Sequence, residues 1–226
     1  MDEFRSDVRE LCLSVYRETK AFHPMAEICG RYRLGFEILM GPPYQNPPIA
    51  FIGYQPGDWK LSAEEARQAG YEDSWVADKC QYADAEWKLA VVMRDMFGRE
   101  LLEQCVGMNA IFVRTKNSEE YRKIPKQLRE LTEAFCLERV RIMLEAIQPR
   151  QVIVIGFETL GLFGVANKVE LMNQDGGVLV RIGHVFGRQA RAIVHLTGGW
   201  GLSKADRNEI AQVIRDKPLS WSDRAQ

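Results

Sequence analysis

Two short apolar runs, Ile49-Ala50-Phe51-Ile52-Gly53 and Gln151-Val152-Ile153-Val154-Ile155-Gly156, constrain this chain more than any other feature. Both are continuously hydrophobic, not alternating, and both are cut off by glycine. A strand with one wet face alternates polar and apolar side chains. A continuous run instead needs cover on both faces, as in a parallel sheet flanked by helices. The second run is rich in β-branched residues, which favour the strand. It follows a helical stripe over 126–148, marked by Leu128, Leu131, Phe135, Val140, Met143, Leu144 and Ile147, which Pro149 ends.

The rest of the pattern alternates in the same way. Phe4, Val8, Leu11 and Val15 predict a helix over residues 2–21, and further helices are expected over 61–69 and 84–97. The segment Gly41–Pro48, with four prolines, is a rigid extended connection. Val106–Val113 predicts a strand interrupted by one polar residue. A short helix through Leu162 follows Gly156. Strands over Val178–Ile182 and Ala190–His195 are then joined by a turn from Gly183 to Arg188. Ser203, with Asp206 three residues on, predicts a capping box for a last helix. The expected fold class is α/β: a three-layer α/β/α domain with a mainly parallel central sheet. One domain spans residues 1–226, with 1–48 as a helical and extended N-terminal addition packed on the sheet.

Composition narrows the function classes. Hydrophobic residues make up 46% and charged residues 27%, which argues against disorder. No stretch approaches the roughly 20 apolar residues that span a bilayer, and the acidic start does not resemble a signal peptide, so no membrane partner and a cytoplasmic location are expected. Cys12, Cys29, Cys80, Cys105 and Cys136 are scattered without a C-x-x-C pair and read as buried thiols. With 30 Lys+Arg against 31 Asp+Glu, the net charge of −1 gives no support for a phosphate track.

Ligands of parallel sheets collect at the carboxyl ends of strands, and three loops there carry polar residues out of pattern. Gly53-Tyr54-Gln55-Pro56-Gly57-Asp58-Trp59 is either a plain strand-to-helix turn or a loop whose backbone approaches a ligand closely. Asn109, an amide in an apolar strand, is either a structural cap or the reader of a ligand edge, because a buried amide needs partners. His195 ends a strand, before the flexible loop Thr197-Gly198-Gly199-Trp200-Gly201-Leu202, and is either structural or functional. Arg114, Lys116, Arg122, Lys123 and Lys126 form either a local basic rim or a solvated loop and helix start.

In order, these residues resemble the uracil-DNA glycosylase superfamily. The resemblance runs from residue 49 to residue 215: G-x-x-P-G after the first core strand, asparagine in the next, Ile147-Gln148-Pro149-Arg150 before the glycine-ended strand, and a final His-x-Thr. The stretch from Val106 to Leu160 is most similar to the iron–sulfur bacterial and archaeal branch. The resemblance implies that Asn109 reads the base and His195 donates to the leaving group. It puts Thr197 at the family's serine position and makes Trp200 or Leu202 a duplex wedge. Gly53, Tyr54, Pro56 and Gly57 would line the pocket.

Tyr54 and Gln55 occupy the positions where the family places its catalytic acidic or amide residue, and neither is a carboxylate. Asp58 is the nearest carboxylate. Cys136 matches one cluster ligand, but Val113 stands where another thiolate belongs and the N-terminal cysteine pair is absent, so no metal and no cofactor are expected. The implied function is a base-flipping DNA glycosylase with weak or altered hydrolysis of the N-glycosidic bond, acting on DNA or a nucleobase-containing ligand. The alternative is a non-catalytic module that binds nucleic acid or a nucleobase.

Overall fold

The computed structural model of the protein describes residues 3–32, 35–57, 73–74, 79–164, 168–197 and 202–221. Strands β2 (Ile49–Gly53), β4 (Val106–Asn109), β5 (Gln151–Ile155), β6 (Lys168–Met172), β7 (Val178–Val185) and β8 (Arg188–Ile193) form one sheet in the order β4-β2-β5-β8-β7-β6. The four strands from β4 to β8 run parallel, β7 runs antiparallel to β8, and β6 pairs antiparallel with β7. The sheet is thus mixed and mostly parallel. A second, two-stranded parallel pair joins β1 (Phe36–Glu37) to β3 (Asp73–Ser74).

The continuous apolar runs behave as their composition demands. Successive side chains of a strand point to opposite faces, and those of β2 enter two separate apolar clusters. Ala50 and Ile52 join one with Val152, Val154, Val140 and Leu144; Ile49 and Phe51 join the other with Ile153, Ile155, Met93 and Ile210. Helix α1 (Glu3–Ala21) feeds Val8, Cys12 and Val15 into the first cluster. It meets the helix Lys126–Ile147: Arg139 pairs with Glu18 at 3.0 Å and lies 4.0 Å over the Phe135 ring, which stacks on Phe22. Among the described residues of the N-terminal stretch, Met25 and Ile28 also join the first cluster. Phe36, Ile38 and Leu39 are among its most buried side chains. The proline segment docks on the end of the long helix, where Asn46 N–H donates to the Ile147 carbonyl at 2.7 Å.

Several boundaries differ from expectation, each for a local reason. The ladder of β4 stops at Asn109; Ala110–Val113 stay buried, but Ala110 and Ile111 turn their N–H groups to the loop after β2, Phe112 turns its N–H to Cys136 Sγ, and the Phe112 carbonyl accepts from the Glu37 N–H of the N-terminal segment. The helix expected over 84–97 is two pieces, Gln81–Asp84 and Lys88–Phe97, because Ala85 is extended. The hairpin turn is only Phe186-Gly187, at φ 50° and 77°, the left-handed pair that a two-residue hairpin requires. Phenylalanine in the first place masks that signal. Gly183, read as turn, lies inside β7 because a Cβ there would come within 2.8 Å of the Leu160 side chain. Edge strand β6 escapes the sequence because its pattern is polar and half-exposed. The helix expected over 61–69 lies outside the described residues. No helix among the described residues is long and apolar enough to cross a membrane.

The last helix, Lys204–Asp216, begins with the expected capping box, Ser203 and Asp206 each accepting from the other's backbone. Ser203→Ala should lower unfolding free energy by about 1 kcal/mol in urea titration. An unchanged midpoint would show that the box contributes nothing.

Candidate functional site

The parallel register sets the site. Gly53 pairs with Asn109, so the β2 and β4 ends lie side by side; β5 ends beside β8, with Gly156 N–H bonded to the Ile193 carbonyl. The carboxyl edge therefore carries, in order, Asn109, Gly53, Gly156 and His195. Neighbouring strands lie about 4.8 Å apart, which spreads Asn109 and His195 over about 14 Å, with β2 and β5 between them.

The loop after β2 is zipped onto the chain that follows β4. Ala110 N–H donates to the Gly53 carbonyl, Ile111 N–H to that of Tyr54 and Thr115 N–H to that of Pro56. Gly57 bridges to Thr115, and Pro56 is buried. Tyr54 turns to the face of the long helix, where its ring meets Tyr121 edge-on at 6.0 Å. Burial raises its phenol pKa, helped by the carboxylates of Glu158 and Glu133. Gln55 turns to Thr115: its amide nitrogen donates to the hydroxyl at 2.7 Å, while its buried Oε1 has no partner. Asp58 and Trp200 lie outside the described residues.

Asn109 is fully buried, and its two amide atoms have different fates. Nδ2 donates to the Glu37 carbonyl at 3.3 Å, and Oδ1 has no partner. Because a carbonyl only accepts, this bond also determines which way the amide faces. Glu37 is held in turn. Its carboxylate takes bonds from Arg114 at 3.1 Å and Gln81 at 2.9 Å, and its backbone N–H donates to the Phe112 carbonyl. The hydroxyl of Tyr82, also buried, is unpartnered as well. Both orphan oxygens flank Gly53: a Cβ built there would lie 3.4 Å from Asn109 Oδ1 and 3.9 Å from the Tyr82 hydroxyl. Gly107 makes room for Tyr82, since a Cβ would come 2.8 Å from its ring.

At the other end, His195 is exposed, and the Thr197 N–H donates to its Nδ1 at 3.4 Å, with the hydroxyl 3.3 Å away. An accepting Nδ1 puts the proton of the neutral ring on Nε2. Gly156, at φ 92°, lets the imidazole lie close; a Cβ would sit 3.7 Å from its Cδ2. Desolvation lowers the His195 pKa, and the carboxylate of Glu158 opposes the shift. Glu158 is paired with Arg122. Leu202, expected as a wedge, is half-buried against the second apolar cluster.

Most of the expected basic rim is committed to carboxylates: Arg114 to Glu37, Arg122 to Glu158, Lys123 to Glu120 and Lys126 to Glu130. An iron–sulfur cluster does not fit. It needs four thiolates, and among the described residues no three His, Cys, Asp or Glu side chains gather to hold a metal. Burial pushes the Cys136 thiol up to about 12. No protein-family model and no curated protein matches this chain.

Tyr82, Glu37, Gln81 and Gly156 did not stand out as site residues. Glu37 had a readable signal, a lone carboxylate in the apolar run Phe36–Met40. Tyr82 had none.

The depressed His195 pKa gives a pH signature. As pH falls through the ordinary value of 6.5, the unfolded chain takes up the proton first, so His195 withdraws stability in that window. An NMR titration of the ring should give a midpoint below 6.5, moved lower still by Glu158→Gln. A midpoint at or above the ordinary value contradicts this account of the ring's surroundings.

Proposed function

We propose that the protein is a uracil-DNA glycosylase-like, three-layer α/β/α protein that takes a flipped or damaged base at the carboxyl edge of its sheet and hydrolyses its N-glycosidic bond weakly. The observation that carries this reading is the pairing of opposite hydrogen-bond senses on one edge: Asn109 keeps a free acceptor, and His195 keeps a donor at Nε2. Glycosidic cleavage develops negative charge on the departing base and positive charge on the sugar. A neutral imidazole that donates to the base stabilises the first of these more in the transition state than in the ground state. The base has to leave its stack to reach either residue.

The altered part is the group that answers the sugar cation. Gln55 gives one N–H to Thr115 and carries a neutral, buried Oε1 that is a poor proton acceptor. Without an anion there, several kcal/mol of transition-state stabilisation are lost. Asp58 is the nearest candidate for that anion by sequence.

A second reading, base binding without chemistry, is favoured by the internally paired rim cations, since phosphate binding relies on free Lys and Arg. Single-turnover assays on oligonucleotides containing uracil, hypoxanthine or xanthine separate the two. Slow cleavage by the wild type should fall about a hundredfold or more in His195→Ala. Cleavage indifferent to His195→Ala overturns the assigned role. No cleavage, with base binding retained, selects the binding module.

A further inference from the structure

Of the cations expected to rim this edge, one is placed differently from the rest. Arg114 is buried against Glu37. Lys123 and Lys126 pair with Glu120 and Glu130, three and four residues away, so those pairs stay local. Arg122 instead reaches a carboxylate 36 residues on, that of Glu158. Both side chains are half exposed, at 52% and 53%, so a ligand arriving from solvent can reach them.

The pair stands at the carboxyl edge of the sheet. Arg122 ends the helix Ser118–Arg122, whose Tyr121 ring meets Tyr54 in the loop after β2. Glu158 lies two residues past Gly156, whose backbone approaches the His195 ring after β8. Both neighbours feel its charges. Burial raises the Tyr54 phenol pKa most, Glu158 adds to the rise, and Arg122 opposes it. At His195, Glu158 opposes the effect of desolvation. A guanidinium and a carboxylate, both open to solvent, therefore sit at the end of β5, between the ends of β2 and β8.

A base still attached to its strand brings phosphates to this edge. Guanidinium suits phosphate well, because its fork of N–H groups bonds two oxygens at once. A carboxylate on the same fork competes with phosphate and repels it. We infer that Arg122 is the backbone-phosphate contact of the proposed base site and that Glu158 occupies it, so that a nucleic-acid strand binds there only by displacing the carboxylate. The inference rests on the base-site reading above and adds the contact that a polynucleotide needs. Entry of a strand exchanges one charge-assisted pair for another and leaves Glu158 unpaired beside a phosphate, which keeps affinity for the strand low. An exposed ion pair adds little to stability, so variants of either residue should fold.

Fluorescence anisotropy of a short single-stranded oligonucleotide with a central uracil, titrated with the full chain at about 50 and 200 mM salt, tests this. Glu158→Gln should bind about threefold to tenfold tighter than the wild type at the lower salt. Its affinity should also fall more steeply with salt, by about 0.7 in log–log slope, the mark of one added phosphate contact on a single strand. Adding Arg122→Gln to Glu158→Gln should abolish both changes. Glu145→Gln removes the same charge about 30 Å along the long helix from Lys126, and should leave affinity within about twofold of the wild type, because salt screens a charge so far away. An equal gain in Glu145→Gln, or a gain in Glu158→Gln that survives the loss of Arg122, overturns the assignment. So does an affinity in Glu158→Gln no higher than that of the wild type. If neither protein binds the oligonucleotide while deoxyuridine shifts the His195 ring signals in NMR, the base site stands and the phosphate contact falls. If neither ligand binds, both readings fall.

Discussion

Strand Ile49–Gly53 has to be dry on both faces, and much of the molecule follows from that requirement. Its neighbours β4 and β5 are equally apolar, so nothing polar can stand along the strands except where they end. Parallel pairing then brings those ends to one edge, in register, with Gly53 beside Asn109. Burying a whole sheet thus concentrates the leftover hydrogen-bonding groups in one row. A row of groups that the core cannot satisfy is where a ligand gains most by binding, because each contact removes a standing cost.

Glu37 is the second constraint. A buried carboxylate persists only when it is paired and hydrogen-bonded, and this one has Arg114 and Gln81 on its oxygens. Removing one partner of such a buried pair costs about 3–5 kcal/mol. Its backbone meanwhile holds Asn109 through one bond and Phe112 through another. The segment at 35–40 is therefore joined to the site as well as to the core. The orientation of the Asn109 amide is thus tied to how that carboxylate is neutralised.

The fold was legible where burial is two-sided and periodic. The apolar runs at 49–53 and 151–155, the long amphipathic helix and the Ser203 capping box carry their structure in residue type alone. What was not legible depends on tertiary contact. Gly183 looks like a turn until Leu160 is packed against it, and Phe186 hides a left-handed turn that an asparagine would have announced. At the site, Asn109 and His195 stood out because a polar residue at an apolar strand end is conspicuous. The direction of the Asn109 amide and the arrival of Tyr82 over Gly107 depend on residues 72 and 25 positions away in sequence, which no local pattern encodes.

The central claim is that one ligand site joins the two ends of this edge, with Asn109 held from behind by Glu37. It is tested most directly by adding uracil to isotope-labelled protein and following the Asn109 side-chain amide and the His195 ring together by NMR. The account predicts that both signals move along a single binding isotherm. It also predicts that the Asn109 amide proton bonded to the Glu37 carbonyl stays slow to exchange with and without the base. Movement of His195 alone, or fast exchange of both Asn109 amide protons in the free protein, would contradict it.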